Sequence, residues 1–177
     1  MGGGFLLTMF IKSTGQLLTL NAREVAPKAA TPEMYKDNPN ASIKGGLAVA
    51  VPSEIAGLWE LHRAFGTLPW ADLVKPVVEL CKEGTEVLPY LENILVELEK
   101  SIREEPTLAE IFVNPVTNRT FQRGEKIKRL KLAETFEDIA LKGASVIYGG
   151  GAMGRKIVED VKARGGILTE KDLKDYR

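Results

Sequence analysis

"FLLTMFIKSTGQLLTLNAREVAP" occupies residues 5–27. Residues 5–12 and 16–20 are apolar runs rich in strand-forming side chains, separated by Ser13-Thr14-Gly15. Two such runs joined by a short Gly-containing loop predict a β-hairpin. The second run leads straight to Arg23 beside Glu24, with Pro27 three residues beyond. An arginine there has three readings: an ion pair with Glu24, an exposed surface cation, or a clamp for an anionic substrate. The clamp is chemically apt because a guanidinium stays charged and offers a planar fork of donors that fits a carboxylate bidentately.

Downstream of the hairpin the pattern changes. Residues 28–44 carry Pro32, Asp37, Asn38, Pro39 and Asn40 and read as loop. "GGLAVAV" (45–51) is short, apolar and bounded by turn residues, which predicts a buried strand. Ser53 then reads as the N-cap of a helix that sets Ile55, Leu58, Trp59, His62 and Phe65 on one face before Gly66. Further helices are predicted over about 70–83, where Pro76 must open or kink the helix, and from Pro89 through Ile102. Residues 107–113 fit a helical turn or a strand equally. Helices follow over 129–142, with Gly143 at its C′ position, and through Met153, Ile157 and Val161. Thr169 and Asp172 resemble a capping box that opens a last helix. Strands early and helices later predict an α+β fold, not repeated βαβ units. No internal boundary is evident, so 1–177 reads as one partial domain. The chain starts almost inside a strand and stops just after a helix begins, as a portion of a longer protein would.

Composition narrows the function. Lys plus Arg (24) balance Asp plus Glu (24), so there is no basic footprint for nucleic acid or an anionic membrane. No apolar run approaches the roughly 18 residues of a membrane span, and the start lacks signal-peptide features. Cys81 is the one cysteine, so no disulfide forms within the chain. Gly2-Gly3-Gly4 lacks P-loop spacing and reads as close backbone packing. Gly149-x-Gly151-x-x-Gly154 matches a dinucleotide fingerprint only as a string, without the strand and acidic residue that give it meaning. His62 is the one histidine and reads as a hydrogen-bonded, half-buried side chain; no metal-ligand spacing accompanies it. Cys81 reads as core, and Ser53 as a cap and not a nucleophile. Asn40-Ala41-Ser42 and Asn118-Arg119-Thr120 satisfy the glycosylation sequon in predicted loops, making Asn40 and Asn118 candidate glycan acceptors. No metal and no cofactor is expected.

A series of segments in order, "GGGFLLT", "NAREVAP", "KGGLAVAVP", "LPWADLVKPVVELCKEG", "RGEKI", "LAETFEDIALKG", "IYGGG" and "GGILTEKDLKDYR", resembles the γ-glutamyltranspeptidase (glutathione hydrolase) family. The resemblance covers nearly the whole chain and corresponds to the first part of the family's large subunit. It implies an incomplete N-terminal-nucleophile hydrolase fold of αββα layers. It also implies a precursor that cuts itself, exposing a threonine on the small subunit, the partner of this segment. That threonine attacks the γ-glutamyl amide of glutathione with its own amine as base, and the acyl group passes to water or to an amino-acid or peptide acceptor. By the same resemblance Arg23 binds the α-carboxylate of the γ-glutamyl group, positioning it without joining the bond chemistry. Localisation at the outer face of the plasma membrane, or secretion, is likewise implied, although the upstream anchor of animal members has no counterpart here. No Thr-Thr pair occurs in the 177 residues, so this segment alone is expected to be inactive. The alternative is a noncatalytic relative that serves as a binding or interaction module. "TLAEIFV" lacks the cysteine pair some members carry nearby, and Leu130 stands where proline is common.

Overall fold

The computed structural model describes residues 2–177. Two strands come first, β1 (Phe5–Ile11) and β2 (Gln16–Ala22), followed by helices α1 (Glu54–Phe65) and α2 (Trp70–Glu83). A two-residue strand β3 (Thr85–Glu86) leads to α3 (Pro89–Glu97), α4 (Glu99–Glu104) and α5 (Pro106–Phe112). Short strands β4 (Val113–Asn114), β5 (Arg119–Thr120) and β6 (Lys126–Ile127) precede α6 (Leu130–Lys142), α7 (Ser145–Tyr148), α8 (Ala152–Ala163) and α9 (Glu170–Asp175). The α+β expectation holds. The chain forms two compact units, one of residues up to Trp70 together with Lys142–Arg177, the other Ala71–Leu141.

In the first unit β1 and β2 form the predicted antiparallel hairpin, in register from Phe5 opposite Ala22 to Ile11 opposite Gln16. Side chains alternate between its faces. Phe5, Leu7, Met9 and Ile11 are half-buried, and α1 lies against this side through Gly57, which meets Ala22 and the Phe5 ring. On the opposite side Leu6, Phe10 and Leu17 are 71%, 63% and 66% exposed, so this chain covers only one face of its own sheet.

Several expectations are corrected. Residues 45–51 are not a strand. Gly45 takes φ +99°, a left-handed conformation natural to glycine, and Gly46–Ala48 form a 3₁₀ turn. Gly46 also sits so close to Gly166 that a Cβ would lie 2.4 Å from its amide nitrogen. Only Val51 pairs, in an isolated bridge to Val25. Ser53 does occupy the N-cap position of α1, yet its side chain makes no capping bond. Its hydroxyl donates to the Ala22 carbonyl at 2.8 Å, and the residue is fully buried. The apolar face predicted for α1 is only partly buried, because Leu58 and Phe65 stay exposed while Ile55 and Gly57 are buried. Trp59, His62 and Trp70 form an aromatic cluster instead, with ring centroids 5.1–6.1 Å apart. His62 is hydrogen-bonded, its Nε2 donating to the Leu68 carbonyl at 2.8 Å.

In the second unit Pro76 lies inside α2 without ending it. Val74, Val78 and Cys81, at helical spacing, are buried and hold the helix through the missing amide bond. The helix predicted from Pro89 breaks at Leu98 into α3 and α4. Both halves still contribute to one core, Val87, Leu95, Ile102 and Ile127. Residues 107–113 realise both open readings: α5 ends at Phe112 and Val113 starts β4.

Candidate functional site

Arg23 stands immediately after β2, where backbone pairing with β1 stops. Its guanidinium Nη2 donates to Glu24 Oε1 at 2.8 Å, and its side chain is 58% exposed. An ion pair that open to water contributes at most about 1 kcal/mol. Both the ion-pair and the exposed-cation readings therefore describe the side chain, and its outer donors remain turned to solvent.

The backbone around this cation is far less free. The Ala22 carbonyl accepts from Ser53, the Arg23 amide donates to Asn21 Oδ1 at 3.0 Å, and the Val25 carbonyl accepts from the Val51 amide at 2.9 Å. Two further bonds arrive from the far end of the chain. The Tyr176 hydroxyl donates to the Arg23 carbonyl at 2.9 Å, and the Lys28 amide donates to Asp172 Oδ1 at 2.9 Å. Asp172 is also half of the predicted capping box, its other oxygen accepting from the Thr169 amide and hydroxyl. Lys28 Nζ pairs with Asp175, which Lys171 joins at 3.0 Å.

An open cavity of about 600 Å³ lies beside this segment. Asn21 and Ala22 line it from β2, Gly57 from α1, and Tyr148, Lys174 and Tyr176 from the C-terminal elements. The Tyr148 hydroxyl donates to the Pro52 carbonyl at 2.8 Å, and the two tyrosine rings lie 6.1 Å apart. Burial, chiefly, pushes the Tyr148 phenol up to about 12, with the Tyr176 and Glu54 charges adding to the effect, so it is un-ionised at neutral pH. Burial works to raise the Asp172 carboxyl, but the Thr169 hydroxyl, the Lys28 and Thr169 amides and the Lys28 charge outweigh it and hold it below the ordinary carboxylate value. Asp175 is drawn down to about 2, first by Lys28 and then by Lys171.

The remaining candidates are not among the residues of this arrangement. Asn40 is exposed at the start of a 3₁₀ turn, and Asn118 is exposed in the β4–β5 connection with φ 51°. Asn118 belongs to the second unit. Of the first three glycines only Gly4 is closely packed, a Cβ there falling 2.3 Å from the Ala22 carbonyl oxygen, while Gly2 and Gly3 are open. The run before Gly149 is the helix α7 and not a strand, which removes the structural context of a dinucleotide fold. Among the described residues no three His, Cys, Asp or Glu side chains are placed to hold a metal, and no helix is long and apolar enough to cross a membrane. Sequence reading missed Tyr176, Asp172 and Lys28 as supports of Arg23. The capping box was visible as a helix start, but nothing local says that its aspartate also reaches a residue 144 positions away.

One helical layer on a hairpin whose other apolar face is bare is part of the α+β fold of N-terminal-nucleophile hydrolases. The chain belongs to the gamma-glutamyltranspeptidase family, whose description matches residues 1–177. A gamma-glutamyltranspeptidase from Pseudomonas nitroreducens, solved in complex with L-DON, superposes with a TM-score of 0.87 at 32% identity, over 99% of this chain and 51% of that one. Scoloptoxin SSD14 of Scolopendra dehaani is 38% identical over all of this chain and 30% of its own length. Glutathione hydrolase 3 of Arabidopsis thaliana is 34% identical, again over the whole chain and over 27% of its own length. The chain thus spans about a third or less of the curated relatives it matches.

Proposed function

We propose that this chain is the Arg23-bearing part of a glutathione hydrolase and γ-glutamyltransferase. It binds γ-glutamyl compounds, glutathione among them, while a threonine on another segment of the same precursor performs the attack. The observation that carries this reading is the position of Arg23. A guanidinium fork, turned outward with donors to spare, stands at the exit of a strand where the Ala22 and Arg23 carbonyls are held by Ser53 and Tyr176. A rigid base and a free fork are what bidentate selection of one carboxylate requires. The uncovered face carrying Leu6, Phe10 and Leu17 is suited to the second β layer of an αββα sandwich, so the small subunit of the precursor is the proposed partner. By itself the segment is catalytically inactive in this reading. The protein acts at the outer face of the plasma membrane or is secreted, and Asn40 and Asn118 are its candidate glycan acceptors.

The test is steady-state kinetics of the complete polypeptide on a chromogenic γ-glutamyl amide. Arg23→Lys keeps the charge and loses the fork, so KM rises by about tenfold, the equivalent of one charge-assisted hydrogen bond, while kcat changes far less. An unaltered KM refutes the assignment of Arg23.

A further inference from the structure

The grip of the C-terminal helix on the Arg23 segment is unusual in its reach. Apart from the hairpin ladder and bonds to near neighbours, four bonds from farther along the chain hold the backbone between Ala22 and Lys28: Ser53 to the Ala22 carbonyl, Tyr176 to the Arg23 carbonyl, Val51 to the Val25 carbonyl, and Asp172 to the Lys28 amide. Two of those four come from α9 and the residue after it, separated from their partners by 153 and 144 positions in the chain. Asp172 is 5% exposed, and the Thr169 capping box holds its carboxylate in place. Tyr176 is steadied by the neighbouring Tyr148 ring, itself tied to the Pro52 carbonyl just ahead of α1. None of these groups is bonded to the guanidinium. Tyr176 acts on the peptide unit that follows Arg23, and Asp172 on the amide of Lys28, five residues on.

We infer that Tyr176 and Asp172 are positioning residues for Arg23: the capped helix α9 sets the direction in which the guanidinium fork is presented to the substrate carboxylate. The inference rests on the reading of Arg23 as the carboxylate clamp. The physical reason is that the Cα–Cβ direction of Arg23 decides the region of space its side chain can sweep, and its one exposed ion pair adds little to that constraint. Of the two peptide planes that flank that Cα, the first is held by Ser53 at the Ala22 carbonyl and the second by Tyr176 at the Arg23 carbonyl, while Asp172 fixes the far end of the segment at Lys28. A displacement of about 1 Å in a positioning group is enough to cost two orders of magnitude in an oriented reaction. Freeing one of several anchors therefore gives a smaller, measurable loss.

Tyr176→Phe retains the ring beside Tyr148 and removes only the bond to the Arg23 carbonyl. Asp172→Asn is the second variant, and it weakens the Lys28 and Thr169 contacts together. Each is made in the complete polypeptide and assayed on a γ-glutamyl anilide and on the matching 4-aminobutanoyl anilide, which lacks the α-carboxylate. In both variants KM for the γ-glutamyl substrate rises by about three- to tenfold, the range of one net hydrogen bond. Meanwhile kcat holds within about twofold, and the 4-aminobutanoyl substrate is unaffected, so the preference for the carboxylate falls. Arg23→Ala, run alongside, abolishes that preference. If it does so while Tyr176→Phe and Asp172→Asn keep the wild-type preference, the positioning role is wrong and the clamp stands. Equal losses on both substrates mean a general structural contribution, which also overturns the positioning role. If Arg23→Ala leaves the preference intact, the clamp itself fails and the inference falls with it.

Discussion

Replacing Gly57 with alanine sets two opposed effects against each other at the contact that supports Arg23. Alanine is the better helix former by up to about 1 kcal/mol, which favours the variant at the end of the first turn of α1. Against this, a Cβ at Gly57 falls 2.3 Å from the Ala22 Cβ and 2.9 Å from Cζ of Phe5. Carbon atoms in contact prefer about 3.5–4.0 Å, so helix and strand must part by about 1.2 Å or more. The Phe5 ring can turn aside. The Ala22 Cβ cannot, because it moves only with the backbone of β2, and Ala22 is 2% exposed. Overpacking of this sort costs roughly 1–3 kcal/mol; with such a close approach we place the gross cost near the upper end. The net is a destabilisation of about 1–2 kcal/mol, and Tm falls with it. Thermal and urea unfolding of the complete polypeptide supply the measurement. Ala22→Gly is the internal control: it removes the atom that clashes, so in that background Gly57→Ala becomes neutral or stabilising. The coupling between the two sites should exceed about 1 kcal/mol. A raised Tm for Gly57→Ala alone, or simple additivity in the double variant, refutes the packing argument.

Other outcomes follow from neighbouring contacts. Ser53→Ala removes the fully buried hydroxyl that donates to the Ala22 carbonyl, so stability drops by about 1 kcal/mol or more; urea denaturation with an unchanged midpoint would show that the hydroxyl contributes nothing. For Asp172 the folded-state carboxyl lies below its ordinary value. Its contribution is therefore fully present above the unfolded value of about 3.9 and is lost as pH falls through the folded one. Asp172→Asn should flatten the loss of stability below about pH 4. A wild-type acid limb in that variant, from denaturation midpoints between neutral and acidic pH, would contradict the assignment. Asp175, drawn down to about 2, acts in the same direction between about pH 4 and 2, but it lies in water and its share fades with added salt.

What local chemistry decides was legible in the residue order. The hairpin followed from two apolar runs around a Gly-containing loop, and its register came out as one ladder from Phe5–Ala22 to Ile11–Gln16. The last helix followed from Thr169 and Asp172, whose reciprocal bonds are local and form as predicted. Membership of the family was legible too, since an ordered series of segments is a property of the sequence. Residues 45–51 were misread because composition cannot separate an apolar strand from a turn forced by a close contact with Gly166. The α1 face was misread for a related reason: a close contact to the sheet is made by Gly57, which carries no hydrophobic signal at all.

The identity of Arg23, and the donors that it can offer to a carboxylate, belong to the primary structure alone. How firmly that cation is held does not. Its carbonyl is bonded by Tyr176 and its segment by Asp172, partners more than 140 positions away. Folding has to bring them together, because hydrogen bonds act over about 3 Å of space and are indifferent to separation along the chain.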